Sequence, residues 1–223
     1  MTAVDWSATQ VTLQLAFATT FGLALLGIPL SAWLATTQTR WRWLIESLIM
    51  LPMLLPPTVL GFFLLWSLGP RGPVGRLCES WLNWLLPFTF PGILLASLIY
   101  NLPYAIRPLT AVFESVDRRL LEAAWCLGLS PTQTFFTVSL PLAARGVVAS
   151  LVLVFAHTVG EFGVILMVGG NIPGVTRTLS MSVYDQVQSL DYKAAASTSA
   201  GLVGIALASL ALIQLLAPAR ADR

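Results

Sequence analysis

The sequence predicts an all-α membrane protein, a polytopic bundle of about five transmembrane helices joined by a structured cytoplasmic loop. Composition is the first observation behind that prediction: 57% hydrophobic residues, 10% charged residues and a mean hydropathy of +0.80 lie outside the range of soluble domains. The second is that the apolar residues gather into runs of the length that a bilayer crossing requires, roughly 20 residues per helix. The third is that no run shows the two-residue alternation of a strand, so the backbone must satisfy its hydrogen bonds within helices and an outer-membrane barrel is excluded.

In chain order the runs are 11–35, 44–67, 91–113, 146–168 and 194–217. The first lacks the basic flank of a secretory signal, since Asp5 is the only charge before it, and it is too long for one, so it is expected to stay. Pro52, Pro56 and Pro57 in the second run and Pro103 and Pro108 in the third each remove a backbone donor, which predicts kinks there. Carbonyls freed in this way need protein or water partners, so these two helices either border the pathway or bend a packed bundle. Loops are too short for a second folded unit, and residues 1–223 read as one transmembrane domain.

Orientation follows from the basic residues, because cytoplasmic flanks retain Lys and Arg. With an odd number of spans, an outer N-terminus puts Arg40, Arg42, Arg118, Arg119, Arg145, Arg220 and Arg223 inside, against Arg71, Arg76, Arg177 and Lys193 outside. The N-terminus is therefore expected outside and the C-terminus in the cytoplasm. On this map Cys78 and Cys126 fall on opposite sides and cannot pair, and neither belongs to a metal-ligand cluster. A net charge of +2, spread over flanks and loops, forms no basic stripe, so nucleic acid is not expected as a partner.

The inner loop 117–141 is more polar than its flanks and carries its own helix signals. Leu120 to Leu127 is rich in helix formers and stops at Gly128, a residue suited to the left-handed conformation that ends helices. Ser130, Pro131 and Gln133 then form a capping-box pattern that starts a second short helix. Small Ala123 and Ala124 beside Glu122 suit insertion into a partner's cleft, where the carboxylate accepts charge-assisted hydrogen bonds. An amphipathic helix lying in lipid headgroups, with Leu120, Leu121 and Trp125 immersed, fits the same residues.

The spacing Glu122-Ala123-Ala124, three residues, Gly128, nine residues, Val138-Ser139-Leu140-Pro141 resembles the EAA loop of binding-protein-dependent ABC importer permeases, with Val138 where isoleucine is more usual. Two further stretches, Leu51 to Leu65 and Gly160 to Asp185, resemble the molybdate branch of that family, and the likeness spans Leu44 to Leu190. The resemblance implies the MetI-like type I permease fold and a homodimer that imports molybdate or tungstate by alternating access. It also implies two ABC ATPase subunits that bind ATP and Mg, and an outer binding protein that delivers the oxyanion. The coupling residues it implies are Glu122, Ala123, Ala124, Gly128, Leu129, Ser130, Leu140 and Pro141. This chain itself is expected to hold no cofactor and no metal and to have no catalytic residue. Its only lysine, Lys193, is followed by Ala194 and cannot complete a phosphate loop. Sulfate permeases are the neighbouring alternative, since both substrates are tetrahedral dianions.

Candidates for the path or gate are Pro57, Thr58, Asn101, Thr158 and Glu161, because hydroxyls and amides let a dianion leave where a cation cluster would retain it. The turn-rich outer loop from Gly169 to Lys193 offers Gly170, Asn171 and Arg177 as contacts for the binding protein, with Arg177 and Asp185 expected as exposed charges. Ionisable groups at membrane depth are costly and usually face the interior. His157 and Glu161 are expected to hydrogen-bond directly as an i, i+4 pair. Arg107 is expected either to snorkel to lipid phosphate or to pair with Glu114 or Glu46. A self-contained carrier or channel would want a chain of ionisable groups or broken inverted repeats, and an intramembrane enzyme would want a nucleophile and base at working distance; neither pattern is present in the sequence.

Overall fold

The computed structural model describes residues 5–82 and 85–216, and among them every regular element is helical. Asp5 starts α1 (Trp6–Thr36) by accepting the Ala8 N–H at 3.0 Å. After a short turn come α2 (Arg42–Leu54) and α3 (Pro57–Leu68), then α4 (Pro73–Leu82) and α5 (Phe90–Glu114). The loop 117–141 contributes α6 (Arg118–Cys126) and α7 (Pro131–Thr134), which continues through a π-turn (Phe135–Ser139) into α8 (Leu140–Val159). The chain then forms α9 (Gly163–Gly169), α10 (Leu179–Gln188) and α11 (Tyr192–Leu216).

Helix α5 is the axis of the bundle. Ala105, Leu109 and Phe113 on its C-terminal half pack with Leu23 of α1 and Ala143, Val147 and Val154 of α8. Towards its other end Ile93 meets Val11 and Leu15 of α1, Ile165 of α9 and Met181 of α10. A helix enclosed on several sides can carry Ser97, Asn101 and two internal prolines, because neighbouring helices rather than lipid surround them. By contrast, α11 buries little beyond Ala194, Ala195 and Ser209 and exposes Val203, Leu207, Leu210, Leu212 and Leu215, as a lipid-facing helix does. Helix α1, the rod Pro131–Val159 and α11 are each long and apolar enough to cross a membrane.

Three expectations about the elements are corrected. The second run is not one kinked helix: the chain turns by 107° between Arg42–Leu54 and the segment Pro57–Ser80. Pro57 forces Pro56 out of the helical region, to φ −54° and ψ 135°, and then serves as the first residue of a new helix. The fourth run starts earlier and also breaks. Pro141 lies inside a continuous rod, because the π-turn before it, with Leu140 N–H reaching Phe135 O, accommodates a residue that cannot donate. The break falls at 160–162, where Gly160 caps α8 and Phe162 (φ −130°, ψ −67°) precedes α9. Finally, the segment 169–193 is not all turns, since it contains α10 with Leu179, Met181 and Ser182 buried. The fifth run appears as α11; its last residue Ala217, with Arg220 and Arg223, lies outside the described residues.

The two breaks face each other because α3 and α9 approach closely. A Cβ on Gly61 of α3 would lie 2.7 Å from Met167 Cβ and 3.2 Å from Val164 Cα, both on α9. Gly61→Val is expected to destabilise the detergent-solubilised protein by about 1–3 kcal/mol through overpacking. Thermal unfolding checks this, and an unchanged midpoint would contradict the close approach.

Candidate coupling surface and translocation site

The loop 117–141 forms a hinged helix pair. Helix α6 is capped by Asp117, turns Ala124 inward, and ends in a Schellman arrangement in which Gly128 N–H reaches Trp125 O at 2.9 Å and Leu129 N–H reaches Ala124 O at 3.1 Å. Gly128 adopts φ +85°, the left-handed region in which a Cβ is strained. The next helix is started by the reciprocal capping box: Ser130 Oγ accepts from Gln133 N–H at 3.3 Å and Gln133 Oε1 accepts from Ser130 N–H at 2.9 Å.

Glu122, Ala123, Gly128, Ser130 and Pro141 are exposed, Leu129 and Leu140 half-buried, and Ala124 buried. Glu122 pairs with Arg118 at 3.1 Å, an exposed i, i+4 contact worth little by itself. Around it Leu120, Trp125, Leu127 and Phe136 are exposed, with Leu127 at 81%. Exposed apolar side chains beside a rigid charged hinge are the make-up of a protein-docking surface.

Deep in the bundle a second cluster joins α5 to the α8–α9 break. Ser97 Oγ donates to Glu161 Oε2 at 2.7 Å and Asn101 Nδ2 donates to the same oxygen at 2.9 Å. Asn101 Oδ1 lies 2.8 Å from His157 Nδ1. The expected direct pair of His157 and Glu161 is thus corrected to a bridge through Asn101. The helix ends at Val159, so Glu161 leaves the i, i+4 position that the sequence spacing suggests. Glu161, Ser97 and Asn101 are buried, and His157 stacks on Tyr104 with ring centroids 3.7 Å apart.

Beside this cluster a 620 Å³ cavity lies between the two helix breaks, lined by Pro57, Thr58, Tyr100, His157, Glu161 and Gly163 among others. Of the expected path residues, Pro57, Thr58 and Glu161 therefore meet at one cavity. Asn101 stands behind its wall. Thr158 is also set apart, buried with its hydroxyl bonded to Val154 O at 2.9 Å. Tyr100 and Ser97 were not anticipated. Ser97 was findable as the polar residue one turn before Asn101 on the same helix face.

The segment 169–193 is more ordered than expected, and its charges Arg177 and Asp185 are paired. Arg177 Nη2 lies 3.3 Å from Asp185 Oδ2, Arg177 Nε donates to Asn171 Oδ1 at 3.0 Å, and Asn171 Nδ2 donates to Asp185. Gly170 (φ +67°) makes the left-handed turn that ends α9 and lets this cluster form. Asp5 joins α1 to α10 through Ser182, at 3.4 Å. Burial raises the Asp5 pKa, but hydrogen bonds from Ala8, Ser7 and Ser182, with the charge of Arg177, outweigh it and hold the carboxyl below its ordinary value of 3.8. A depressed carboxylate stabilises the fold above that value and loses its contribution as pH falls through the lower one.

At the C-terminal end of α5 the pairing expected for Arg107 belongs to Arg42. Arg42 bonds Glu46 one turn on and reaches across to Glu114 of α5, while Arg107 is exposed with no ion pair among the described residues. Arg42 begins α2 beside the end of α5, and sequence separation hides that proximity.

A multi-pass helical bundle with a polar cluster at two broken helices has the make-up of a membrane permease. The chain belongs to the family of binding-protein-dependent transport system inner membrane components, which matches residues 27–220. It is 46% identical over 199 residues to the molybdenum transport system permease protein ModB of Azotobacter vinelandii, covering 89% of this chain and 88% of that protein. The Escherichia coli K12 protein of the same name is 33% identical over 219 residues, 96% of this chain and 93% of that protein. A probable sulfate transport system permease protein of Anthoceros angustus is 31% identical over 188 residues, but this chain covers only 65% of it. Among solved structures, a bacterial alginate ABC transporter in complex with a pentasaccharide-bound periplasmic protein matches with a TM-score of 0.72 at 16% identity. That match covers 94% of this chain and 76% of the other. The fold is that of ABC importer permeases, and the chain is a multi-pass inner-membrane component.

Proposed function

We propose that this chain is the permease subunit of an importer for molybdate, or the isostructural tungstate, working as a homodimer with two cytoplasmic ATPase subunits and an outer oxyanion-binding protein. The 46% identity to a molybdenum permease across nearly all of both chains carries the substrate, and sulfate relatives are more distant. The exposed hinge at Gly128 supports loop 117–141 as the ATPase dock, so ATP and Mg are bound by the partners and not here. The basic-residue distribution supports an outer N-terminus and a cytoplasmic C-terminus. On this reading the cluster at Gly170, Asn171 and Arg177 faces the binding protein.

Uptake of labelled molybdate in cells lacking their own permease tests the substrate: expression of this chain with its ATPase and binding protein should restore it, with sulfate competing weakly. Sulfate displacing molybdate at equal concentration would transfer the chain to the sulfate branch. Glu122→Arg is expected to lower uptake at least tenfold by placing a cation where a docking carboxylate stands, an effect of the size of a broken charge-assisted contact, about 1.5–3 kcal/mol. Normal uptake by this variant would remove Glu122 from the dock.

A further inference from the structure

Glu161 is 4% exposed and holds its two carboxyl oxygens in unlike settings. Oε2 accepts from both Ser97 Oγ and Asn101 Nδ2, whereas Oε1 is buried with no hydrogen-bond partner. No Lys or Arg pairs with it among the described residues. The Asn101 amide is held in one orientation, because its Nδ2 also donates to Ser97 O at 2.9 Å, so its Oδ1 faces His157 and requires a proton on His157 Nδ1. An ionised carboxylate here would leave one charged oxygen bare in a low-dielectric setting, which is costly. A proton on Oε1 removes the charge and converts that oxygen into a donor.

The surroundings point to what such a donor would meet. The cavity beside Glu161 also receives the first turn of α3, a helix of 12 residues whose N-cap, Pro56, makes no side-chain cap. The absent side chain of Gly163 brings α9 against that turn, since a Cβ there would lie 3.0 Å from Pro57 Cβ and 3.7 Å from Thr58 N. A half-helix N-terminus at a break in the membrane is suited to anions. Thr58 and Tyr100 add hydroxyls to the lining, and Lys and Arg are absent from it.

We propose that Glu161 is held as a neutral carboxylic acid, and that its Oε1–H, with Tyr100 and Thr58, donates hydrogen bonds to the tetrahedral oxyanion as it passes the junction of the two broken helices. The substrate in this statement rests on the function proposed above. Donors without a fixed cation would let a dianion enter and leave, and an ionised Glu161 would repel it. Titratable groups near Glu161 are Tyr100 and Tyr104 on α5 and His157 on α8, while Tyr184 of α10 packs on Phe162 next to it. Helices α3 and α9 contribute no titratable group.

The test compares Glu161→Gln, Glu161→Ala and the wild-type chain, each assembled with its ATPase and binding protein. Glutamine can still accept from Ser97 and Asn101 and can donate through its amide, so its KM for molybdate should rise only about threefold, against about thirtyfold for alanine. Loss of uptake in Glu161→Gln equal to that in Glu161→Ala, with normal complex assembly, would overturn the proposal. Infrared spectroscopy of the purified complex gives a readout free of transport. A protonated carboxyl band should be present, shift on adding molybdate and vanish in Glu161→Gln. A wild-type complex without that band ends the proposal whatever it transports. A complex that shows the band, but shifts it with sulfate and not with molybdate, corrects the substrate instead.

Discussion

Gly128→Glu is expected to abolish molybdate uptake while leaving the protein at normal levels in the membrane. Gly128 has φ +85°, and an added Cβ would meet nothing within 4 Å, so the folded chain itself offers no steric objection to a side chain. The intrinsic cost is the left-handed conformation, about 1–2 kcal/mol, which a helix pair held by a Schellman end and a capping box can absorb. The consequence instead falls on the open side of the hinge, where the proposed ATPase would approach within contact distance and where a buried carboxylate would lack a partner. Gly128→Ala carries the conformational strain with almost no bulk and should retain partial uptake. Measured together, uptake, membrane abundance and ATPase co-purification separate the two effects. If Gly128→Glu imports normally with its ATPase bound, loop 117–141 is not the dock.

Asn101→Leu is expected to be among the most destabilising single substitutions in the bundle. The side chain is fully buried and donates to Ser97 O and Glu161 Oε2 while facing His157 Nδ1. Leucine is similar in size, so the effect would come from unpaired polar groups: Glu161 keeps only Ser97, and His157 Nδ1 keeps no partner. Stripping such groups in a low-dielectric core costs about 2–5 kcal/mol. Thermal unfolding of the solubilised protein and its abundance in the membrane report this directly. Thr158→Val is the contrast, because that hydroxyl only bonds back to Val154 O on its own helix and its loss should cost under about 1 kcal/mol. Equal melting of Asn101→Leu and the wild-type chain would show that the bridge does not hold α5 to the α8–α9 break.

The loop 117–141 was legible because its signals are local. A helix stop at Gly128, a capping box at Ser130 and Gln133 and the spacing of the loop residues each depend on neighbours a few positions apart, and the structure places the helix end and the cap where those residues stand. The buried polar cluster was legible in part of its membership but not in its wiring. Thr58, Asn101 and Glu161 could be singled out as polar residues in apolar runs. That Asn101 bridges His157 to Glu161, and that Arg42 rather than Arg107 holds Glu46 and Glu114, depends on residues far apart in sequence. Hydropathy also misread the breaks, since runs such as 44–67 and 146–168 stay apolar through the residues where the chain turns.

By itself, the sequence determined that this is a helical membrane protein and that the loop 117–141 carries a hinged helix pair. Bilayer length, hydropathy and capping chemistry are properties of contiguous residues. Only the tertiary structure decided where the helices break, that the breaks at Pro56 and Gly160 to Phe162 meet across one cavity, and which partners the buried polar groups take. Those outcomes depend on which faces of distant helices pack together, and an apolar run looks the same whether it crosses the membrane straight or folds back on itself.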